Sequence, residues 1–339
     1  MRRLFLLVLL GLSVCFKAFS IEIQPYIVNG SDANIVDYPS FASLFYRNGN
    51  SYSASSYCGA TMINPQYVLT AAHCIYGDNN LMLYTVVAPQ LEDESNFLST
   101  QQAKAEAFYY PDNYLDSEVE RWPNDIAIIK LESPLAVGTY TSLLNTTVNN
   151  SFAPNDNYKA VGHGYIAEND SSGTRLLETS LTYVNTSNCQ AVFGSKITSS
   201  QLCFDGALGT TFKNATCSGD SGGPVYWYTG GQYVQIGITS FGPATCGDPS
   251  ANVIAVFTDV YDYQGWISQV INGLATPKAY VETRNGLRVL INNDTGGSES
   301  TQPQSEGGGG GGSIPLSTLV ALVPLAYWRF TAKRCWSLN

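Results

Sequence analysis

Three short segments of the chain carry residue types that can act together in covalent chemistry. They are LTAAHC (69–74), NDIAIIKL (124–131) and CSGDSGGP (217–224). A serine hydroxyl is a weak nucleophile at neutral pH, so Ser221 needs a base within hydrogen-bond distance, and the imidazole of His73 has a suitable pKa. A carboxylate such as Asp125 can fix the imidazole tautomer and stabilise its protonated form. Taken singly, each segment could equally be structural.

The sequence contains only two histidines, His73 and His163, so few residues could serve as the base. His163 stands in the run 162–167, GHGYIA, which matches a loose dinucleotide-binding fingerprint. Neither a following helix nor a parallel β-α-β unit is apparent there, so the match is weak. We therefore expect no nucleotide cofactor, and the sequence indicates no other cofactor.

The elements that must position these residues are mostly strands. From residue 27 to about residue 260 the chain alternates short β-rich runs with turn clusters. The runs are YVLTAA, LYTVVA, DIAIIKL, YKAVGHG, YVQIGITSF and VIAVFTDV. Many short strands separated by Gly, Asn, Asp and Pro are typical of an all-β barrel or sandwich. The apolar residues of 262–273 instead fall on one helical face, which predicts one terminal helix packed on the β body.

Composition limits the partners that the protein can have. The 339 residues are 44% hydrophobic, enough for the core of one large or two modest domains. A net charge of -10 leaves no basic stripe that could neutralise phosphates, which argues against a nucleic-acid partner.

The cysteine pattern favours disulfides. Of eight cysteines, Cys15 lies in an apolar leader and Cys335 among the last five residues, which leaves six between residues 58 and 246. An even set behind a leader favours disulfides over metal ligands, and there is no C-x-x-C pair or H-E-x-x-H helix, so we expect no metal site. Six cysteines allow 15 pairings, and the spacing does not choose among them.

The N-terminal residues resemble an export signal. Arg2 and Arg3 precede an apolar run, and small residues follow near Ser20, so residues 1–20 are predicted to be a secretory signal. Residues 21–26 then precede Ile27. They could be a frayed terminus leading into an edge strand, or a propeptide whose removal frees the Ile27 amine.

In this chain order, His73, Asp125 and Ser221 resemble the catalytic residues of the trypsin and chymotrypsin family of serine endopeptidases, across roughly 27–273. The resemblance implies two six-stranded antiparallel β-barrels with the active site between them and a C-terminal helix. It implies an oxyanion hole formed by the amides of Gly219 and Ser221, with no side chain at Gly219. It also implies the disulfides Cys58–Cys74, Cys189–Cys203 and Cys217–Cys246.

The resemblance also maps a specificity pocket. Ala215 matches its floor, and Gly242 and Ala255 match its walls. Ser240 would support Asp125 and offer its backbone to the substrate. Without an acidic residue at the floor, a buried Lys or Arg side chain would lack a partner, so we expect Tyr, Phe, Leu or Met there, with Ala255 narrowing the pocket.

An activation step follows from the same resemblance. In the family, cleavage before the residue matching Ile27 frees an α-ammonium that pairs with the carboxylate matching Asp220 and orders the oxyanion hole. Most relatives have Arg or Lys before this bond, whereas this chain has Tyr26. Tyr26 matches the preference expected of the apolar pocket, so we predict cleavage after Tyr26 by other copies of the enzyme, with another protease as the alternative.

Two further positions bear on the resemblance. Relatives usually carry Trp where this chain has His163, which we interpret as a structural substitution, and this leaves His73 as the base. The acidic run 92–94, EDE, lies in a loop where some relatives bind calcium, although we expect a solvated acidic turn there.

The residues beyond 273 form three segments. The run 279–291, AYVETRNGLRVLI, places Asn285-Gly286 between two strand-like arms, which predicts a hairpin within a short extension over 274–291. Residues 292–313 are a polar, glycine-rich linker.

The C-terminal segment, 314–339, combines a 15-residue apolar run with a basic end, RFTAKR. That run is short against the ~20 residues of a spanning helix. A glycine run, an apolar segment and a basic cluster together resemble the sorting signals that rhomboid-like sortases remove in Gram-negative bacteria after type II secretion. We therefore predict transient membrane attachment and loss of the residues after about 312; a glycolipid-anchor signal and a plain membrane anchor are the alternatives.

The sequence thus predicts a secreted or cell-surface serine endopeptidase, monomeric, that acts on proteins or peptides. The competing interpretation is an inactive binding protein with the same fold, because a fold alone does not fix a function.

Overall fold

The computed structural model describes residues 27–141, 143, 151–165 and 173–293, together with the backbone of 298–300. The predicted leader, propeptide and sorting tail lie outside the described residues, as does most of the linker. None of the helices in the described ranges is long and apolar enough to cross a membrane.

Strands dominate the described chain. In chain order they are β1 (Ser31–Asp32), β2 (Phe41–Asn48), β3 (Ser51–Tyr52), β4 (Cys58–Asn64), β5 (Tyr67–Thr70), β6 (Thr85–Pro89), β7 (Ala103–Tyr109), β8 (Ala127–Leu131), β9 (Tyr158–Gly162), β10 (Leu177–Val184), β11 (Gln201–Asp205), β12 (Pro224–Thr229), β13 (Gln232–Phe241), β14 (Ala255–Asp259), β15 (Ala279–Arg284), β16 (Leu287–Asn292) and β17 (Ser298–Ser300). The α-helices are α1 (Asn79–Tyr84), α2 (Thr186–Phe193) and α3 (Gln264–Ile271).

The first barrel closes in the order β7-β6-β2-β4-β5-β8, with β8 pairing back to β7. Neighbouring strands are antiparallel, as in the register Leu69↔Ile128 of β5 and β8. Fully buried Leu44, Met62 and Phe108 belong to its core. Alternating apolar residues on these strands face a shared interior, which barrel closure encloses.

The second barrel closes in the order β9-β12-β13-β14-β11-β10, with β10 pairing back to β9, while β1 adds to β10 from outside. Its core is aromatic: Phe204 meets Phe257 edge to face at 5.3 Å and Tyr158 at 5.0 Å. Such pairs add to the stabilisation from area burial. The prediction of two six-stranded antiparallel β-barrels is therefore confirmed.

The terminal helix α3 packs against the first barrel. Ile267 and Val270 are buried in that barrel's core cluster, and Trp266 and Ile271 pack against it partly exposed. These are the residues that the helical periodicity placed on one face. The helix predicted over 262–273 is thus present, shortened to 264–271 because residues 260–263 form a 3₁₀ turn.

One predicted strand begins too early. The run LYTVVA was expected to be extended from Leu83, but Leu83 and Tyr84 close α1 and β6 begins at Thr85. Asp78 caps this helix, because its carboxylate accepts a hydrogen bond from Leu81 N at 2.8 Å. The N-cap supplies a partner for a free N–H of the first turn and so favours a helical turn over an extended start.

Beyond α3, strands β15 and β16 form the predicted hairpin, and the hairpin extends the first barrel's sheet. Asn285 and Gly286 both have positive φ, 53° and 81°, as a two-residue turn of type I′ requires. β15 pairs with β7 through Ala279↔Phe108 and Tyr280↔Ala107. The extension therefore docks on the first barrel by backbone hydrogen bonds.

Arg288 holds the hairpin in place. Its side chain, 12% exposed, donates to the carbonyls of Leu83 at 2.9 Å and Ala105 at 2.7 Å and contacts Glu132. Arg288→Ala should lower the free energy of unfolding by about 1–3 kcal/mol, because charge-assisted bonds to buried carbonyls are lost. Urea titration of Arg288→Ala and of Arg284→Ala checks this. The exposed Arg284 should change stability by only about 0.5 kcal/mol, and equal losses in both variants would contradict the assignment.

Candidate active site

His73 and Asp125 approach each other because adjacent strands deliver them. His73 lies in a 3₁₀ turn just after β5, and Asp125 lies two residues before β8, which pairs with β5 through Thr70↔Ala127. The Cys58–Cys74 disulfide ties the histidine turn to the start of β4. Since Cys58 and Cys74 are in disulfide linkage, they offer no thiolate ligand beside His73.

The His73–Asp125 pair is close and Asp125 is fully buried. His73 Nδ1 lies 2.7 Å from Asp125 Oδ2, and the His73 main-chain N–H donates to Asp125 Oδ1 at 2.9 Å. The Ser240 hydroxyl also donates to Asp125 Oδ2, and the Thr258 hydroxyl donates to the Asp125 carbonyl at 2.7 Å. Each carboxylate oxygen thus has a donor, as a buried charge requires.

Electrostatics at His73 favour the imidazolium. Burial alone would lower the pKa of His73, but the Asp125 charge and hydrogen bond, with a contribution from Asp116, raise it above its usual range. A base that is stabilised when protonated can take a proton from a neighbouring hydroxyl and later return it.

Ser221 lies beside this pair, in the turn before β12. Gly59 N donates to the Ser221 carbonyl at 2.8 Å. A Cβ on the next residue, Gly222, would lie 2.2 Å from Thr70 Oγ1 and 3.0 Å from Cys74 Sγ. The serine turn therefore abuts the strand and disulfide that carry the histidine. Within the described residues no hydrogen bond joins Ser221 Oγ to the imidazole, and in unliganded enzymes this contact often tightens only with substrate.

The backbone around Ser221 has the shape of an anion site. Gly219 has φ 98°, and a Cβ there would lie 2.9 Å from the Cα of Gly164. Across the described chain, the N–H groups of Gly219 and Ser221 have no acceptor. Two free amides on one tight turn are suited to stabilise a developing oxyanion.

Asp220 anchors this turn from behind. Its buried carboxylate accepts hydrogen bonds from Gly164 N at 2.9 Å and Cys217 N at 2.8 Å, and Tyr165 N donates to the Ser218 carbonyl at 2.7 Å. Burial raises the pKa of Asp220 to about 7, partly offset by these two donors. Among the residues that the structure describes, no lysine, arginine or histidine lies within ion-pair distance of this carboxylate.

A cavity of about 200 Å³ opens next to Ser221. Of the pocket residues expected from the sequence, Ser240 and Gly242 line it. Its remaining lining residues are Thr216, Cys217, Ser218, Ser221, Thr239, Phe241, Pro243, Ala244 and Cys246. Ala215 and Ala255 lie behind this lining: Ala215 is packed against Val28, and Ala255 Cβ would be 3.5 Å from a Cβ on Gly242. Thr216, Phe241 and Pro243 line the pocket but were not predicted from the sequence, although each is next to a predicted pocket residue.

Ile27 and Val28 are docked in the protein interior. Both are fully buried, and Val28 exchanges two main-chain hydrogen bonds with Ala215, at 3.1 and 3.3 Å. The Asn29 side chain donates to the Asn214 side chain. Apolar side chains and backbone pairing therefore hold residues 27 and 28 against Ala215, whereas residues 21–26, which could be a frayed terminus or a propeptide, lie outside the described residues.

The structure corrects the expectation of a solvated acidic turn at 92–94. Glu94 is only 2% exposed and accepts a hydrogen bond from Ser56 N at 2.8 Å, and Glu92 accepts one from Ile35 N at 3.0 Å. Asp93 caps the following turn through Ser95 N at 3.0 Å. The carboxylates serve main-chain donors within the protein, which a count of local charges does not indicate.

His163 lies in the core next to this loop. Its Nδ1 is 3.3 Å from Ser43 Oγ and 3.9 Å from Glu94 Oε1, and within the described ranges its Nε2 has no hydrogen-bond partner. Burial lowers the pKa of His163 to about 3, so it is neutral at ordinary pH. This placement separates His163 from Asp125 and is consistent with a structural role.

Glu94 should make stability pH-dependent. Burial raises the pKa of Glu94 from 4.5 to about 7. The contribution of the neutral carboxyl group to the free energy of unfolding is therefore fully present below pH 4.5 and is lost as pH rises through about 7. We expect Glu94→Gln to gain up to about 3 kcal/mol relative to wild type between pH 5 and pH 8. Urea unfolding at both pH values checks this. The control Asp93→Asn should show no such gain, and a pH-independent effect of Glu94→Gln would contradict the burial argument.

Comparisons with known proteins agree with this geometry. The sequence model of the Trypsin family matches residues 27–267. CLIP domain-containing serine protease B4 of Anopheles gambiae is 30% identical over 273 residues, covering 74% of this chain and 72% of the relative. Chymotrypsin-like elastase family member 1 is 29% identical in Felis catus and 28% in Homo sapiens, covering 74% of this chain and 91% and 94% of those relatives. The chain therefore belongs to the Trypsin family and is a serine protease.

Proposed function

We propose that the protein is a secreted serine endopeptidase that cleaves after apolar or aromatic residues and is made as a zymogen. The observation that carries the catalytic part is the fully buried Asp125 bonded to His73, with the Ser221 turn packed alongside. The alternative, an inactive binding protein, would not need a buried carboxylate held against an imidazole.

The reaction would use the chain's own groups. Ser221 Oγ attacks the peptide carbonyl and gives its proton to His73 Nε2, while the N–H groups of Gly219 and Ser221 stabilise the oxyanion. The tetrahedral intermediate collapses to an acyl-enzyme as His73 returns the proton to the leaving amine. Water then attacks the ester, again with His73 as base, and releases the carboxylic acid and free Ser221.

Active-site labelling tests this function. A fluorophosphonate probe should label protein that begins at Ile27, and the adduct should map to Ser221 by peptide mass analysis. Ser221→Ala is the matched control and should stay unlabelled. If the processed, folded wild type is not labelled, the protein is not a serine hydrolase and the binding-protein alternative is favoured.

The cavity supports a preference for uncharged side chains. None of its lining residues is acidic or basic, so a buried Lys or Arg would lack a partner. Substrates ending in Leu or Tyr at the cleaved bond should therefore outpace Arg substrates in a peptide-library profile. A faster Arg substrate would overturn this specificity.

We propose that Ala255, whose Cβ would lie 3.5 Å from a Cβ on Gly242, limits the depth of the pocket from behind its lining. Ala255→Gly should raise the Tyr-to-Leu ratio of kcat/KM by about tenfold, because one methyl group in an apolar pocket is worth roughly 1–3 kcal/mol. Paired fluorogenic substrates differing only in that residue measure the ratio. The exposed Ala136→Gly is the control, and an unchanged ratio in Ala255→Gly would show that Ala255 does not set the depth.

Activation is proposed to follow cleavage between Tyr26 and Ile27. The buried Ile27 and the pairing of Val28 with Ala215 support a docked N-terminal segment. Tyr26 fits the proposed pocket preference, so one copy could process another. Purified Ser221→Ala should keep residues 21–26, or whatever precedes Ile27, far longer than wild type. Equal rates of appearance of the Ile27 N-terminus would disprove self-processing.

The described part of the chain contains the three disulfides, Cys58–Cys74, Cys189–Cys203 and Cys217–Cys246, which are typical of an oxidising, extracellular compartment. We further propose a monomer whose tail is removed near 312 by a rhomboid-like sortase after type II secretion in a Gram-negative bacterium. The order of glycine run, apolar segment and basic end supports this proposal. Intact-mass measurement of secreted protein tests it, and retention of Trp328 would overturn it.

A further inference from the structure

The loop between β7 and β8 carries an exposed carboxylate at the edge of the cleft. The Trp122 indole N–H donates to Asp116 Oδ1 at 3.1 Å, and Trp122 N donates to the Ser117 carbonyl at 3.1 Å. Arg121 and Trp122 have φ of 62° and 42°, so the chain reverses sharply here. The indole and the carboxylate are thus held together by a tight turn and not by a flexible tip.

Two sets of contacts place this pair between the pocket and the base. The Trp122 ring lies 5.0 Å from Phe241, which lines the pocket. Tyr114, two residues before Asp116, packs at 5.1 Å against Tyr76, which follows the histidine turn. The Asp116 charge also contributes to the raised pKa of His73. Asp116 therefore faces the same strip of surface as the imidazole.

A bound peptide would extend along this strip. With one side chain in the pocket and its carbonyl at Ser221, its preceding residue would lie near Phe241, which lines the pocket, and His73. The side chain of that residue would then be close to Trp122 and Asp116, because the Trp122 ring is 5.0 Å from Phe241. An aromatic ring beside a carboxylate is the pairing that attracts a lysine ammonium or an arginine guanidinium.

The charges near the loop leave Asp116 available. Arg121 donates to the Phe193 carbonyl at 2.9 Å with its guanidinium over the Phe193 ring, and Lys196 pairs with Glu120 at 2.8 Å. Among the residues that the structure describes, no lysine or arginine lies within ion-pair distance of Asp116. A cationic side chain of a substrate could fill that position.

We propose that Asp116, held by Trp122, is a specificity-determining residue that favours Lys or Arg immediately before the residue in the pocket. This inference rests on the proposed peptidase function and deepens it, because it names the substrate class: peptides with a basic residue followed by an apolar one. The loop between β7 and β8 would thus contribute to substrate specificity in addition to the pocket.

The test uses processed enzyme and three fluorogenic peptides that differ only at that position, with Lys, Gln or Glu. Wild type should prefer Lys to Gln by roughly two- to fivefold in kcat/KM and disfavour Glu, as expected for an exposed charge pair. The preference should shrink from 0.05 M to about 1 M salt, where the screening length is near 3 Å.

Asp116→Asn keeps an oxygen for the Trp122 indole but removes the charge, so the Lys-to-Gln ratio should fall to about one. Glu118→Gln removes an exposed acidic side chain of the same loop and should leave the ratio as in wild type. A ratio near one in wild type, an unchanged ratio in Asp116→Asn, or an equal fall in Glu118→Gln would each overturn the inference. Failure to cleave even the Gln peptide would instead count against the peptidase function.

Discussion

Asp125→Asn is expected to lower kcat by about 10⁴-fold while leaving the protein folded. Asp125 Oδ2 lies 2.7 Å from His73 Nδ1, and the same oxygen accepts a hydrogen bond from the Ser240 hydroxyl. An asparagine amide would present N–H groups in place of an acceptor, so His73 would turn its protonated nitrogen toward Ser221 and could not take the serine proton. Turnover of a Leu substrate, normalised to folded protein by disulfide content, measures the loss.

The residual activity of Asp125→Asn should also respond differently to pH. Because the Asp125 carboxylate raises the pKa of His73, the rise of activity with pH should move to lower pH in the variant. Thr258→Val serves as a control, since it removes only a bond to the Asp125 carbonyl. A loss smaller than about tenfold in Asp125→Asn would mean that Asp125 does not orient the base.

Asp220→Asn should cost about 10³-fold in kcat/KM, because breaking a buried ion pair costs about 3–5 kcal/mol. In the intact chain Asp220 is buried with two main-chain donors and a pKa of about 7. A free Ile27 ammonium would supply the missing cation and keep the carboxylate ionised. The kcat/KM of wild type and Asp220→Asn, each before and after removal of the residues preceding Ile27, measures the effect.

Wild type should gain activity on that removal, and the gain should disappear at alkaline pH as the α-ammonium loses its proton. The variant should gain little at any pH. If Asp220→Asn is activated as fully as wild type, the ion pair is not the switch. Acetylation of the Ile27 amine in processed wild type should reproduce the low activity of the variant.

Local sequence signals predicted the elements whose formation depends on neighbours in the chain. The periodicity of 262–273 gave α3, and Asn285-Gly286 gave the turn between β15 and β16, because both depend on residues a few positions apart. His73, Asp125 and Ser221 could be proposed as catalytic residues because their segments are short and chemically distinctive. Asp78 is also a residue type that caps helices, but the apolar run LYTVVA that follows it favours a strand.

Features made by distant partners could not be predicted in this way. Glu94 is buried because Ser56 N, 38 positions away, donates to it, and nothing near Glu94 in the sequence specifies that contact. The docking of the hairpin on β7 likewise joins residues about 170 positions apart, since Ala279 pairs with Phe108. The cavity next to Ser221 also joins residues that are distant in the sequence, since Thr216 and Gly242 both line it.

The pairing of Val28 with Ala215 connects the N-terminal segment to the pocket, because Ala215 adjoins Thr216, which lines the pocket. We expect docking of Val28 and order in the pocket to be coupled through this contact. Coupling between two binding equilibria is reciprocal. If docking raises the affinity of the pocket for an apolar ligand by some factor, binding of that ligand raises the equilibrium constant for docking by the same factor. If the protein is made as the proposed zymogen, a tight pocket ligand would therefore shift the uncut chain toward the docked arrangement, and the zymogen would respond in part to its own substrate before any bond is cut.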